Sequence, residues 1–111
     1  MTKKDLRKLR SLFVQLIKTP GFETMSMSQF CAFLVAADSH GTATVSSIAD
    51  EMSKPIASTV RALDLFTGDG RGESRPGKNL LERVADPGDR RSHTLALTAK
   101  GDQFLFTELS L

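Results

Sequence analysis

The sequence predicts a mainly α-helical (α+β) domain, a run of short helices interrupted by one two-stranded β-hairpin. Apolar residues recur at helical spacing over most of the chain, as in Leu6, Leu9, Phe13, Leu16 and Ile17, or in Phe30, Phe33, Leu34 and Ala37. Between Asn79 and Thr98 the period changes. There the apolar runs Leu80–Val84 and Thr94–Leu97 flank Asp86-Pro87-Gly88-Asp89, a turn in which proline presets φ and glycine accepts positive φ. A chain of 111 residues fits one domain, and folding a chain of that size buries roughly two thirds of its unfolded surface.

Residues 1–20 form the first element. Lys4, Arg7, Lys8 and Arg10 lie largely opposite the apolar stripe, and Thr19-Pro20-Gly21 stops the helix. Such a helix covers the core with a solvated basic face, or it offers its stripe to a dimer partner or its lysines to phosphates. The second helix begins at Ser26, which with Gln29 three residues on makes a capping box, and ends near Ser39-His40-Gly41. Cys31 on this helix reads as a small interior hydrophobe, because no second thiol or charged activator adjoins it.

Residues 44–66 read as a helix-turn-helix. Thr44 caps a short helix carrying Val45, Ile48, Ala49 and Met52, and the pattern breaks at Ser53-Lys54-Pro55. It resumes with Ile56, Val60 and Leu63 as the expected buried stripe, which leaves Ser58, Thr59, Arg61 and Ala62 facing outward. Proline is tolerated there because a first helical turn has no use for its missing N–H. In this motif the second helix enters a DNA major groove, where Ser58, Thr59 and Arg61 would meet base edges and Lys54, Thr44 and Ser46 would meet phosphates.

Residues 67–78 hold four of the eight glycines and one of the four prolines, so they form a loop. Arg71, Arg75 and Lys78 on it are candidate contacts to a nucleic-acid backbone. Gly72-Glu73-Ser74-Arg75-Pro76-Gly77-Lys78 approaches a phosphate-binding loop, but Asn79 follows where a Mg²⁺-ligating Ser or Thr is required, and no strand precedes it. Residues 79–98 are the hairpin, with the donors Arg90, Arg91 and His93 beside a turn too small to bury them. Residues 99–111 form a last helix, capped by Thr98, with Phe104, Leu105 and Leu109 apolar. Gly101 in its first turn reads as a weakness of about 1 kcal/mol relative to Ala.

Composition narrows the possibilities. The net charge of +2 is too small for a protein that coats nucleic acid, yet the charge is uneven. Residues 1–20 carry six Lys or Arg and one acid, whereas residues 21–53 carry four acids and no Lys or Arg. The single cysteine precludes an internal disulfide and suits a reducing cytoplasm, and no Cys/His set has zinc-ligand spacing, so no metal or cofactor is expected. No apolar run is long enough to cross a bilayer. With no nucleophile, base and orienter to assemble, an enzyme is not expected.

Helix, helix, helix-turn-helix, hairpin and helix is the order of a winged helix-turn-helix. Asp86-Pro87-Gly88-Asp89-Arg90-Arg91 followed by Leu95-Ala96-Leu97-Thr98-Ala99-Lys100-Gly101 resembles the wing signature of the MarR family of bacterial transcriptional regulators. Ser26 to Phe33, Ser47-Ile48-Ala49 and Ser58-Thr59-Val60-Arg61 follow in that family's order, so the resemblance covers roughly residues 26–105. It implies that Arg91 enters a minor groove and that Asp89 holds the wing tip. It also implies a homodimer, here through the N- and C-terminal helices, on palindromic double-stranded DNA. The chain departs from the family in its longer 67–78 loop and in keeping about one helix after the wing. A small-molecule effector is not assumed, since relatives bind theirs beside the long helices.

Two functions follow. One is a sequence-specific DNA-binding regulator. The other is a winged helix that docks a protein through loop 67–78, favoured by Asp64, Asp69 and Glu73 near the reading face, where carboxylates repel phosphate.

Overall fold

The computed structural model of the chain describes residues 1–67, 79–86 and 89–109 and, within those spans, all side chains but those of residues 86, 89–92 and 108. Helix α1 (Lys3–Lys18) opens with a capping box: Thr2 Oγ1 accepts the Asp5 N–H at 3.1 Å and Asp5 Oδ2 accepts the Thr2 N–H at 3.2 Å. The Thr2 N–H, and then its hydroxyl, hold the Asp5 carboxyl below the usual carboxylate range. A depressed carboxylate stabilises at neutral pH and stops doing so as pH falls through its folded value, so this cap opens in acid. Helix α2 (Met27–Asp38) starts on the expected Ser26–Gln29 box, with bonds of 3.1 and 2.8 Å.

After α2 come strand β1 (Ala43–Thr44), helix α3 (Val45–Met52), helix α4 (Ile56–Asp64) and the hairpin strands β2 (Leu81–Asp86) and β3 (Asp89–Leu97). Helix α5 (Ala99–Gln103), capped by Thr98, continues into a π-helical turn over Phe104–Glu108. The sheet is antiparallel in the order β1-β3-β2, with Ala43 opposite Leu95 and Leu81 opposite Leu97. Thus the two-stranded wing gains a third strand at its base. Two residues carry no periodicity, which is why β1 leaves no mark in the sequence. The wing strands also outrun their apolar cores, β3 starting at Asp89.

Five of the seven phenylalanines fill the interior. Phe33 stacks on Phe66 with centroids 4.7 Å apart, Phe22 stacks on Phe104 at 5.0 Å, and Phe30 tilts against Phe33 at 6.0 Å. Ile48, Leu63, Leu81 and Leu95 close around these rings. The C-terminal residues Phe104, Leu105 and Leu109 are buried as their spacing predicts.

Three expectations need correction. Helix α1 does not cover the core with its stripe: Leu16 is buried, while Leu6, Leu9, Phe13 and Ile17 face out. Helix α4 is rotated from the expected face, burying Thr59, Ala62 and Leu63 and exposing Ile56. The reason is the packing of α4 on α2, which sets Thr59 and Ala62 beside the fully buried Ala32, while Leu63 is buried as expected. Thr59 tolerates burial because its hydroxyl donates to the Pro55 carbonyl at 2.9 Å. Gly101 is required rather than weak, since a Cβ there would lie 2.1 Å from the Leu80 carbonyl oxygen and 2.8 Å from Leu97 Cδ1.

The expected loop lies, past Thr67, outside the described residues, but the described residues on either side of it are clamped together. The Phe66 carbonyl accepts the N–H groups of Leu80 and Leu81 at 2.7 and 2.9 Å, and Thr67 bridges Leu81. Beside this clamp the Arg83 guanidinium of β2 donates to the Asp64 carboxylate at the end of α4. Helix α4 is thereby fastened to the wing.

Gly101→Ala is expected to lower the melting temperature by about 10 °C, because overpacking against backbone costs about 2 kcal/mol or more in a domain of this size. An unchanged melting curve would contradict the close approach. In a double-mutant cycle of Asp64→Asn and Arg83→Met, denaturant unfolding should return a coupling of about 1 kcal/mol, tempered by the partial exposure of Asp64. Strictly additive losses would mean the pair does not fasten helix to strand.

Candidate nucleic-acid interface

The turn between α3 and α4 sets the position of Lys54. Ser53 takes a left-handed conformation, φ 54°, and the Lys54 N–H reaches back to the Ala49 carbonyl at 2.9 Å, which ends α3 abruptly. Pro55 then starts α4 with no side-chain cap, and its carbonyl takes the hydroxyls of Ser58 at 3.0 Å and Thr59. Lys54 is left exposed at the mouth of the turn, and Arg61 is exposed two helical turns along.

Lys54, Ser58 and Arg61 line one groove of ≈ 340 Å³ together with Ser26, Ser28 and Gln29 from the start of α2. No acidic residue lines it. Two cations, the hydroxyls of Ser26, Ser28 and Ser58 and the positive end of the α2 dipole thus converge on an open trough, an arrangement that attracts phosphate. Thr59 and Ala62 form its floor. Since Thr59 is only 3% exposed and its hydroxyl is occupied, it is removed from the set of base-reading residues.

The other predicted residues lie around this trough. Thr44 caps α3, accepting the Ser47 N–H at 3.1 Å, and Ser46 is exposed in the first turn of α3; neither lines the groove. His93 is exposed on β3, opposite Ala85. Asp89, Arg90 and Arg91 belong to β3 by their backbone, and their side chains fall outside the described residues, as do Arg71, Arg75 and Lys78 altogether. Of the acids near the reading face, Asp64 is paired with Arg83; Asp69 and Glu73 fall outside the described residues.

Sequence reasoning did not find Ser26 and Ser28, because nothing local says that the start of α2 adjoins the second helix of the motif. It also placed Ile56 in the core, where the structure leaves it 55% exposed at the first position of α4. Among the described residues no group of three His, Cys, Asp or Glu could hold a metal ion, and no helix is long and apolar enough to cross a membrane.

No protein-family model matches the chain, and no curated protein matches it significantly. Solved structures do. Streptococcus pneumoniae FabT in complex with DNA superposes with a TM-score of 0.59 at 22% identity, over 91% of this chain and 66% of that one. A mutant MarR from E. coli gives 0.60 at 19% identity, over 96% and 73%, and S. aureus MepR in a DNA complex gives 0.52 at 19%, over 99% and 80%. The chain therefore spans about two thirds of the FabT chain and somewhat more of the others. With its helices, three-stranded antiparallel sheet and β-hairpin wing, this chain has the fold of the MarR-type winged-helix regulators.

Proposed function

We propose that this chain is a sequence-specific, double-stranded-DNA-binding transcriptional regulator that acts as a homodimer and catalyses nothing. The single observation that carries the proposal is the acid-free groove in which Lys54, Ser58 and Arg61 meet the start of α2, beside a helix that the fold presents outward. FabT and MepR, which share that fold, were solved with DNA. On this reading α4 lies in the major groove, Arg61 at its edge contacts a base, and Lys54 neutralises a phosphate. Thr44 and Ser46 add backbone contacts, and the wing brings Arg90, Arg91 and His93 to the adjoining minor groove, with Asp89 steadying its tip. The pairing of Asp64 with Arg83 removes one of the carboxylates that favoured a protein partner instead.

The dimer would use the face of α1. Leu6, Phe13 and Ile17 present a continuous apolar stripe, Ile17 being 65% exposed, and Phe106 after α5 is 57% exposed. Single exposed apolar residues are ordinary, but a stripe along about three turns of one helix calls for a partner. A second copy supplies the same stripe with the self-complementarity that two-fold dimers need.

Gel-shift selection from random duplexes should enrich one palindromic motif, with affinity falling steeply as salt rises. Lys54→Ala should weaken all duplexes alike and lower the salt slope by about one, whereas Arg61→Ala should relax one base position by about 1–3 kcal/mol. Equal losses from both changes on selected and random DNA would defeat the assignment. In sedimentation the chain should run at about twice its 12.1 kDa mass, and Ile17→Asp should return it to the monomer without unfolding it; a wild-type monomer at high concentration would remove the dimer.

A further inference from the structure

The corrected rotation of α4 changes what the helix can read. At roughly 100° per residue, Ile56, Val60, Asp64, Ala57 and Arg61 fall in that order across an arc of about 140°, with Thr59 and Ala62 on the opposite side. Within this arc Asp64 is engaged by Arg83, which leaves an apolar patch of Ile56, Ala57 and Val60 with a cation at one edge. Lys54, two residues before Ile56, stands at the other end. The N-terminal turn of such a helix is the part that approaches base edges.

Resting on the DNA-binding reading above, we propose that Ile56, supported by Ala57 and Val60, reads thymine 5-methyl groups in the major groove. Isoleucine and valine have no donor or acceptor to spend on a base edge. The thymine methyl is the one apolar feature any base pair shows in the major groove, and apolar side chains recognise it by contact alone. Flanking cations fit this occupant, because phosphates border the groove on either side of the bases. The binding site of this protein therefore carries a thymine beneath the first turn of α4 in each half-site.

The test starts from the duplex enriched by the wild-type chain. Each of its thymines is replaced in turn by deoxyuridine, which lacks only the methyl group, and affinity is measured by fluorescence anisotropy for the wild type and for Ile56→Ala. One position per half-site should lose about four-fold in wild-type affinity, the value of one buried methyl-sized group, and the loss should vanish in Ile56→Ala. Ile56 is exposed, so the variant should melt with the wild type. Deoxyuridine tolerated at every position, or a loss that persists unchanged in Ile56→Ala, overturns the inference while leaving DNA binding intact. Failure to enrich any duplex overturns both.

Discussion

The stacked phenylalanines decide how this small domain is put together. Phe33 comes from the middle of α2 and Phe66 from the turn just after α4, and their rings lie nearly parallel, 15° apart. Phe22, from the turn after α1, and Phe104, from the C-terminal turn, form a second near-parallel pair that touches the first. Four distant parts of the chain thus share one apolar centre. Offset aromatic pairs have a preferred geometry, so the stack fixes orientation as well as burying area. The same Phe66 offers its carbonyl to the two N–H groups that begin β2. A single residue thereby links the core, the end of the reading helix and the wing.

Two phenylalanines stay out of this centre, and both lie on elements expected to dimerise. Phe13 on α1 and Phe106 beyond α5 are half-exposed or more, whereas Phe22, Phe30, Phe33, Phe66 and Phe104 are buried. Helix α1 contributes Leu16 to the interior and packs Leu12 against it, and its inner edge with α2 bounds a cavity of ≈ 330 Å³ lined by Phe13, Ile17, Phe30 and the half-buried Cys31. A helix that buries so little of its apolar face gains little from folding within one chain. Its amphipathic pattern makes physical sense once a second surface covers the rest.

Much of this was legible because it is local. The capping box at Ser26 and the caps at Thr44 and Thr98 involve partners three residues apart, and each forms as spelled. The hairpin was legible from its turn chemistry, and Leu95 and Leu97 from their alternation. What failed was tertiary. Periodicity assigned Ile56 inward because it is apolar, but the packing of α4 on α2 sets Thr59 and Ala62 beside Ala32 instead. Propensity marked Gly101 as a defect, although the Leu80 carbonyl leaves no room for any side chain. In both cases the deciding neighbour is more than twenty residues away, beyond any window of local pattern.

The fastening of α4 to the wing holds together the two ends of the segment between them. Loop-closure entropy grows only slowly with length, so an insertion whose two ends are already held together costs little. Here Thr67 lies beside Leu81, and Asp64 meets Arg83 one step further along both elements. The separation between reading helix and hairpin is therefore set by short hydrogen bonds and a charged contact, not by the number of residues between them. Because Asp64 shares an arc with Ile56 and Arg61, the contact that holds the helix to the strand also neutralises a carboxylate on the surface that the proposed function turns toward phosphates. One ion pair thus serves the architecture and, on the proposed function, the electrostatics together, accounting for an acidic residue on the outward side of α4.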